Sequence, residues 1–229
     1  MPEKKSRKRA RTDRKTDAAS KFTARSRTLG LFNKRLGPVS LKYHSEIVLD
    51  PSTATPAWHV FSANGLFDPD ITSTGHQPYG FDQYMAQYNH YTVVGAKITV
   101  HYSNVSSTTQ PYILTIRTAA GTTPLTNRTQ ILEAPINITN KFIGSRQGAR
   151  ADGSFSRRVS ISKFLSQDVM QEDNNAGFDG VTTGNPAEQV FFHVGAQAYS
   201  VFTDAPAITL NVIIEYLAVF HEPKEVLPS

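Results

Sequence analysis

Apolar and polar residues alternate along most of this chain. The clearest case is YTVVGAKITVHYS at 91–103. Val94, Ala96, Ile98, Val100 and Tyr102 fall on one face, and Gly95, Lys97, Thr99 and His101 on the other. A period of two predicts a strand buried on one side. PYILTIRT (111–118) repeats the pattern with Tyr112, Leu114 and Ile116 inward, and 188–202 does so with Val190, Phe192, Val194, Ala196 and Ala198. Residues 207–220, AITLNVIIEYLAVF, are apolar on both faces near their end, which predicts a central strand. Weaker alternation predicts strands at 41–49, 56–62, 136–144 and 156–164.

Only 78–88 reads as a helix, with Phe81, Tyr84, Met85 and Tyr88 at spacings of three and four. Long amphipathic helices between strands are missing, which argues against a parallel α/β fold. The expected class is all-β, as two antiparallel sheets packed face to face or a barrel. Long connections are expected at 62–78, 119–135 and 166–188, and connections of that length usually serve an interface.

Composition adds an appendage to this body. At 229 residues the chain suits one domain plus a tail. Residues 1–42 hold fourteen Lys/Arg against three acids, about +11, while the remainder is about −6. The first segment has few aliphatic residues and no period, which predicts a disordered arm over 1–36 and a folded domain over 37–229, hinged at Gly37-Pro38. Its basic residues Lys4, Lys5, Arg7, Lys8, Arg9, Arg11, Arg14, Lys15, Lys21, Arg25, Arg27, Lys34 and Arg35 are candidate nucleic-acid ligands, acting on phosphates through counterion release. Lys4, Lys5, Arg7, Lys8, Arg9 and Arg11 also match a nuclear-import signal.

Several chemistries find no footing. The chain has no cysteine, so disulfides, zinc fingers and thiol catalysis are excluded. No apolar run nears the ~20 residues that span a bilayer, and no signal peptide is expected. Nucleophile elbows, phosphate loops and metalloprotease motifs are lacking. The histidines at 44, 59, 76, 90, 101, 193 and 221 are scattered, so no catalytic residue, metal site or cofactor is expected. Asp68-Pro69-Asp70 reads as a turn before a calcium site, and Glu172-Asp173-Asn174-Asn175 as a solvated loop. The sequons at Asn104, Asn127 and Asn137 read as turn and strand residues, and Trp58 as core. A second basic cluster joins Lys141, Arg146, Arg150, Arg157, Arg158 and Lys163, with Phe155 and Phe164 nearby. Arginine beside aromatic rings suits single-stranded nucleic acid, though a salt-bridged loop fits equally well. Arg157 and Arg158 are its candidate nucleic-acid ligands.

The stretch 64–102 carries a more specific pattern. Asn64, the Asp68–Asp70 turn, GHQPYGFDQ from Gly75 to Gln83, Tyr88, Tyr91, Val93 and Gly95 to Ile98 together resemble the capsid proteins of small circular Rep-encoding single-stranded DNA viruses, the circovirus-like group. The closing stretch at 213–223 is similar in the same sense. The resemblance implies an eight-stranded antiparallel jelly roll and a closed icosahedral T=1 shell of about sixty copies. It implies an inward arm on a circular single-stranded DNA genome, a host nuclear-import receptor and a host cell-surface receptor. It places the protein in the virion and, during assembly, in the host nucleus. The GHQP segment is then a structural corner rather than a catalytic site. Sixty arms of about +11 would bring roughly 660 positive charges to such a genome. The alternatives are the coat protein of a small RNA virus, a monomeric basic nucleic-acid-binding module, and an enzyme or lectin on the same fold.

Overall fold

The computed structural model describes residues 33–71, 75–103, 111–144, 152–170, 177–200 and 202–225. The strands are β1 (Arg35–Leu49), β2 (Ala57–Ser62), β3 (Tyr88–Ser103), β4 (Tyr112–Ala119), β5 (Ile138–Ile143), β6 (Asp152–Ser160), β7 (Asp179–Val181), β8 (Phe191–Ala198) and β9 (Ile208–Pro223). Among the described residues three short helices intervene: α1 (Phe81–Met85), α2 (Arg128–Glu133) and α3 (Ile161–Leu165).

One sheet has the order β1-β9-β3-β6, with β7 added beside β3, and the other has the order β2-β8-β4-β5. Every pairing is antiparallel. The chain passes from one sheet to the other between β1 and β2, β2 and β3, β3 and β4, β5 and β6, β7 and β8, and β8 and β9. This alternation is the winding of a jelly roll, here with eight long-range strands and the small β7 as a ninth among the described residues.

The core lies between the two sheets. Ile98, Val100, Leu210, Val212 and Ile214 from one face meet Tyr112, Leu114, Ile116, Phe192 and Val194 from the other. β9 is central as expected, paired with β1 on one side and β3 on the other. The Tyr216 hydroxyl is fully buried and donates to the Ser62 carbonyl across the sandwich at 2.7 Å. This satisfies a polar group that would otherwise oppose burial.

The outer faces differ. In β8 all eight residues are buried, so both faces are covered. The cover is the 120–137 segment with α2. The Trp58 indole donates to the Leu125 carbonyl at 2.8 Å, His193 Nε2 donates to the Gly121 carbonyl at 2.8 Å, and the Asn140 amide donates to the Ile131 carbonyl at 3.1 Å. Ile113 and Ile131 are buried but lie outside the main core, because they pack beneath this cover. By contrast, β9 alternates buried and accessible positions from Ile208 to Leu217, so the β1-β9-β3-β6 sheet keeps an open outer face.

Four expectations change. β1 begins at Arg35, and Gly37-Pro38 lies inside it at a register shift rather than at a hinge. In β3 the register shifts between Val93 and Gly95, so Val93 is buried and Val94, expected inward, is only half-buried. A β-bulge changes the phase of alternation, and the consecutive valines conceal where it does so. β6 ends at Ser160 because Ile161, Phe164 and Leu165 pack at helical spacing, overriding the strand period read at 156–164. Trp58 lies on the covered outer face instead of in the core, against Gly195, where an added Cβ would come within 2.5 Å of the indole.

The corner between β2 and β3 matches its expectation. Phe81, Met85 and Tyr88 are buried, and Tyr84 stacks on Phe220 with centroids 4.7 Å apart. Gly80 takes a positive φ of 92° at the helix start, a region that favours glycine. The helix is shorter than the expected 78–88, since β3 already begins at Tyr88.

Candidate nucleic-acid interface

The open face carries a charged row across all four strands. Lys42 on β1 lies opposite Glu215 on β9, Glu215 opposite Lys97 on β3, and Lys97 opposite Arg158 on β6. Strand alternation turns all four outward, away from the core. Lys42 Nζ lies 3.3 Å from one Glu215 carboxylate oxygen and Lys97 Nζ 3.3 Å from the other. The hydrogen bonds from Lys42 and Lys97 hold the Glu215 carboxyl below the usual carboxylate range. Arg158 is exposed and has no ion-pair partner among the described residues. The row therefore presents three cations against one anion.

A shallow depression of about 340 Å³ opens beside it, lined by Ser40, Gly95, Lys97, Arg158, Val159 and Leu217 among others. Gly95 keeps it open, because a Cβ there would approach the Val159 carbonyl to 3.2 Å. Thr99, Ser154, Ser156 and Ser160 extend the face with hydroxyl groups along β3 and β6.

The structure separates the two arginines expected to act together. Arg157 points inward on β6 and bridges the sheets. Its Nε donates to Thr118 Oγ1 at 2.9 Å, Nη1 to Thr139 Oγ1 at 3.1 Å and Nη2 to the Asn137 side chain at 3.3 Å. Burial pushes its guanidinium below its ordinary value. Arg157 is therefore an inter-sheet clamp, not an exposed phosphate ligand, because neighbouring strand residues face opposite ways. Phe155 and Phe164 likewise pack against the core, with Phe155 edge-on to Tyr102, so neither offers a stacking platform. Among the described residues, no hydrogen bond or ion pair joins Lys141 or Lys163 to the row. Lys34 and Arg35 lie at the start of β1, with Arg35 opposite His221. Lys4, Lys5, Arg7, Lys8, Arg9, Arg11, Arg14, Lys15, Lys21, Arg25 and Arg27 lie outside the described residues, as do Arg146, Arg150, Asn104 and the 172–175 cluster.

The remaining polar candidates serve the scaffold. His59 Nε2 lies 3.0 Å from Asp70, and His221 Nε2 lies 3.2 Å from Asp179. The Asp68–Asp70 turn is held from below. The Asn185 amide donates to the Asp68 carbonyl at 2.8 Å and accepts from the Phe67 and Asp68 amides at 3.1 Å. Asn64 does the same for the approach to β8, donating to the Glu188 carbonyl and accepting from Val190 N. Burial, with a smaller contribution from Asp70, raises the Asp68 carboxyl. Most of 62–71 is thus buried support, while most of 119–135 is exposed on its outer side.

Sequence reading missed Lys42, Lys97 and Glu215. Lys97 stood on the correct outward face, but the row exists only once the register of four strands is known.

No protein-family model and no curated protein matches the chain. Among solved structures, the chain is similar to the 60-mer crystal form of the BFDV capsid protein at 10% identity and a TM-score of 0.47, covering 86% of this chain and 100% of that one. It is similar to Turnip Yellow Mosaic Virus at 13% identity and a TM-score of 0.44, covering 82% and 95%. The T=1 subviral particle of a Penaeus vannamei nodavirus capsid protein deletion mutant gives 10% identity and a TM-score of 0.45, covering 84% and 99%. Viral capsid proteins, including those of 60-mer and T=1 assemblies, are thus among the solved structures similar to this chain.

Proposed function

We propose that this protein is the capsid subunit of a small virus, assembling into an icosahedral shell of about sixty copies and packaging circular single-stranded DNA through its basic arm. The observation that carries the reading is the join between two unlike parts. A segment with net charge of about +11 over residues 1–42 leads into, and includes the first half of, the edge strand β1 of a jelly roll. A polyanion is the natural partner of the first part, since each neutralised phosphate releases counterions. The mildly acidic remainder limits nonspecific adhesion of the body to nucleic acid. The GHQPYGFDQ corner supports a DNA-virus origin through the resemblance it carries. In that setting Lys4 to Arg11 serve as a nuclear-import signal read by a host import receptor, and the outer loops meet a host cell-surface receptor.

The test is removal of the arm. The cut belongs after Asn33, because Arg35 and Leu36 already pair with His221 and Phe220. Full-length protein should give uniform shells in negative stain with nuclease-protected nucleic acid, and the truncated chain shells or subunits with none. Small soluble species whose nucleic acid is wholly digestible would instead establish a monomeric binding module. Sequencing the protected cargo separates a DNA origin from an RNA one.

A further inference from the structure

We propose that Lys97 and Arg158, with Lys42 and Glu215 beside them, form a second nucleic-acid site on the open face of the β1-β9-β3-β6 sheet, one that binds backbone phosphates. The proposal rests on the packaging reading for its ligand and on the geometry of the row for its location.

Lys97 and Arg158 are direct cross-strand partners. Like charges in that relation destabilise a sheet, so their presence needs a compensating anion. Glu215 supplies one carboxylate, but it is already bonded through both oxygens to Lys42 and Lys97. Arg158 is left with no described partner at the side of a depression floored by Gly95. A guanidinium and an ammonium lining one open hollow suit a phosphate, which accepts from several donors at once. The flanking Ser40, Thr99, Ser156 and Ser160 add hydroxyl donors of the kind that contact nucleic-acid backbones. The row crosses four strands, about 14 Å, enough to track a strand rather than hold one ion. A protein partner fits this face less well, because protein interfaces are depleted in lysine at their centres. The arm enters the same sheet at Arg35, about 23 Å along β1 from Lys42, so arm and row can grip one strand together.

Glu215 has a defined role in this site. It fixes both lysine heads in place and offsets part of their charge, so the site is ordered before the nucleic acid arrives. Its removal should strengthen binding, whereas removal of the cations should weaken it.

The experiment is fluorescence anisotropy of a labelled oligothymidylate titrated with the full-length chain over a range of salt concentrations, below the concentration at which shells sediment. Each phosphate contact on a single strand contributes about 0.7 to the slope of log K against log salt. Lys97→Gln with Arg158→Gln should therefore shallow the slope by about 1.4. Glu215→Gln should steepen it and raise affinity. Lys163→Gln, a charge change off the row, should leave it unaltered. An unchanged slope in the double variant overturns the proposal, and loss of shell formation with an unchanged slope would assign the row to a subunit contact. An equal loss from Lys163→Gln would reduce the effect to net charge and also overturn it. Neutralising Lys4, Lys5, Arg7, Lys8, Arg9 and Arg11 in parallel tests the packaging reading separately. If that variant keeps its full slope, the arm is not the packaging element, whatever the row does.

Discussion

The two sheets of this jelly roll share one core but treat their outer faces in opposite ways. In the β2-β8-β4-β5 sheet the inner strand β8 is buried on both faces, with Ile113 and His193 buried and Trp58 half-buried beneath the 120–137 segment. The β1-β9-β3-β6 sheet is closed only toward the core and turns a row of charges and hydroxyls outward. One outer face contributes to stability and the other is free to meet a partner. The boundary between the roles falls between adjacent residues in β6, where Arg157 clamps the sheets and Arg158 stands in the open.

The sharpest way to break this contrast is the same substitution on both outer faces. Ile113→Asp would place a carboxylate beneath the cover and should cost about 4 kcal/mol or more, the range reserved for buried unpaired charge. Ile213→Asp, on the half-exposed face of β9, should cost about 1 kcal/mol at most. Urea melts of both variants measure it. Equal costs would mean that the second face is also covered.

The arginine pair gives the next largest effect. Arg157→Ala removes three charge-assisted hydrogen bonds to the opposite sheet and should destabilise by about 2 kcal/mol. Arg158→Ala should stay within about 0.5 kcal/mol of wild type while weakening oligonucleotide binding. Thermal melts and anisotropy on the two variants would expose any exchange of roles.

The smallest expected effect concerns acid. Burial holds the His193 imidazole below its ordinary range, and the nearby Arg117 acts in the same direction, while the bond to the Gly121 carbonyl opposes them. The folded chain thus binds this proton less readily than the unfolded chain. The resulting stabilisation is complete above the ordinary histidine value of about 6.5 and declines as pH falls through it. Denaturant melts at pH 7.5 and 5.5 should show a smaller loss for His193→Gln than for wild type. An identical loss in both would place the proton elsewhere.

What was legible in the sequence follows the same division. β3 announces itself because a sheet with one wet face must alternate, and Lys97, Thr99 and His101 mark the wet side, while β9 is legible as a central strand from its apolar residues on both faces near the end. The corner from Gly75 to Tyr88 was legible because its aromatic residues recur at helical spacing and pack inward as that spacing requires. The cover was not legible. It holds the sheet largely through the carbonyls of Gly121, Leu125 and Ile131, and any residue has a carbonyl. The bulge at Val94 was hidden because apolar neighbours at 93 and 94 fit either phase. The charged row was hidden for another reason. Its members lie at positions 42, 97, 158 and 215, and only the register of four strands makes them neighbours.

The most direct test of the whole account is a cryo-electron microscopy reconstruction of nuclease-treated particles from the full-length chain. The account predicts a closed shell in which the β1-β9-β3-β6 sheet faces the lumen, with nucleic-acid density against Lys97 and Arg158. A shell with that sheet on its outer surface, or no shell at all, would contradict it.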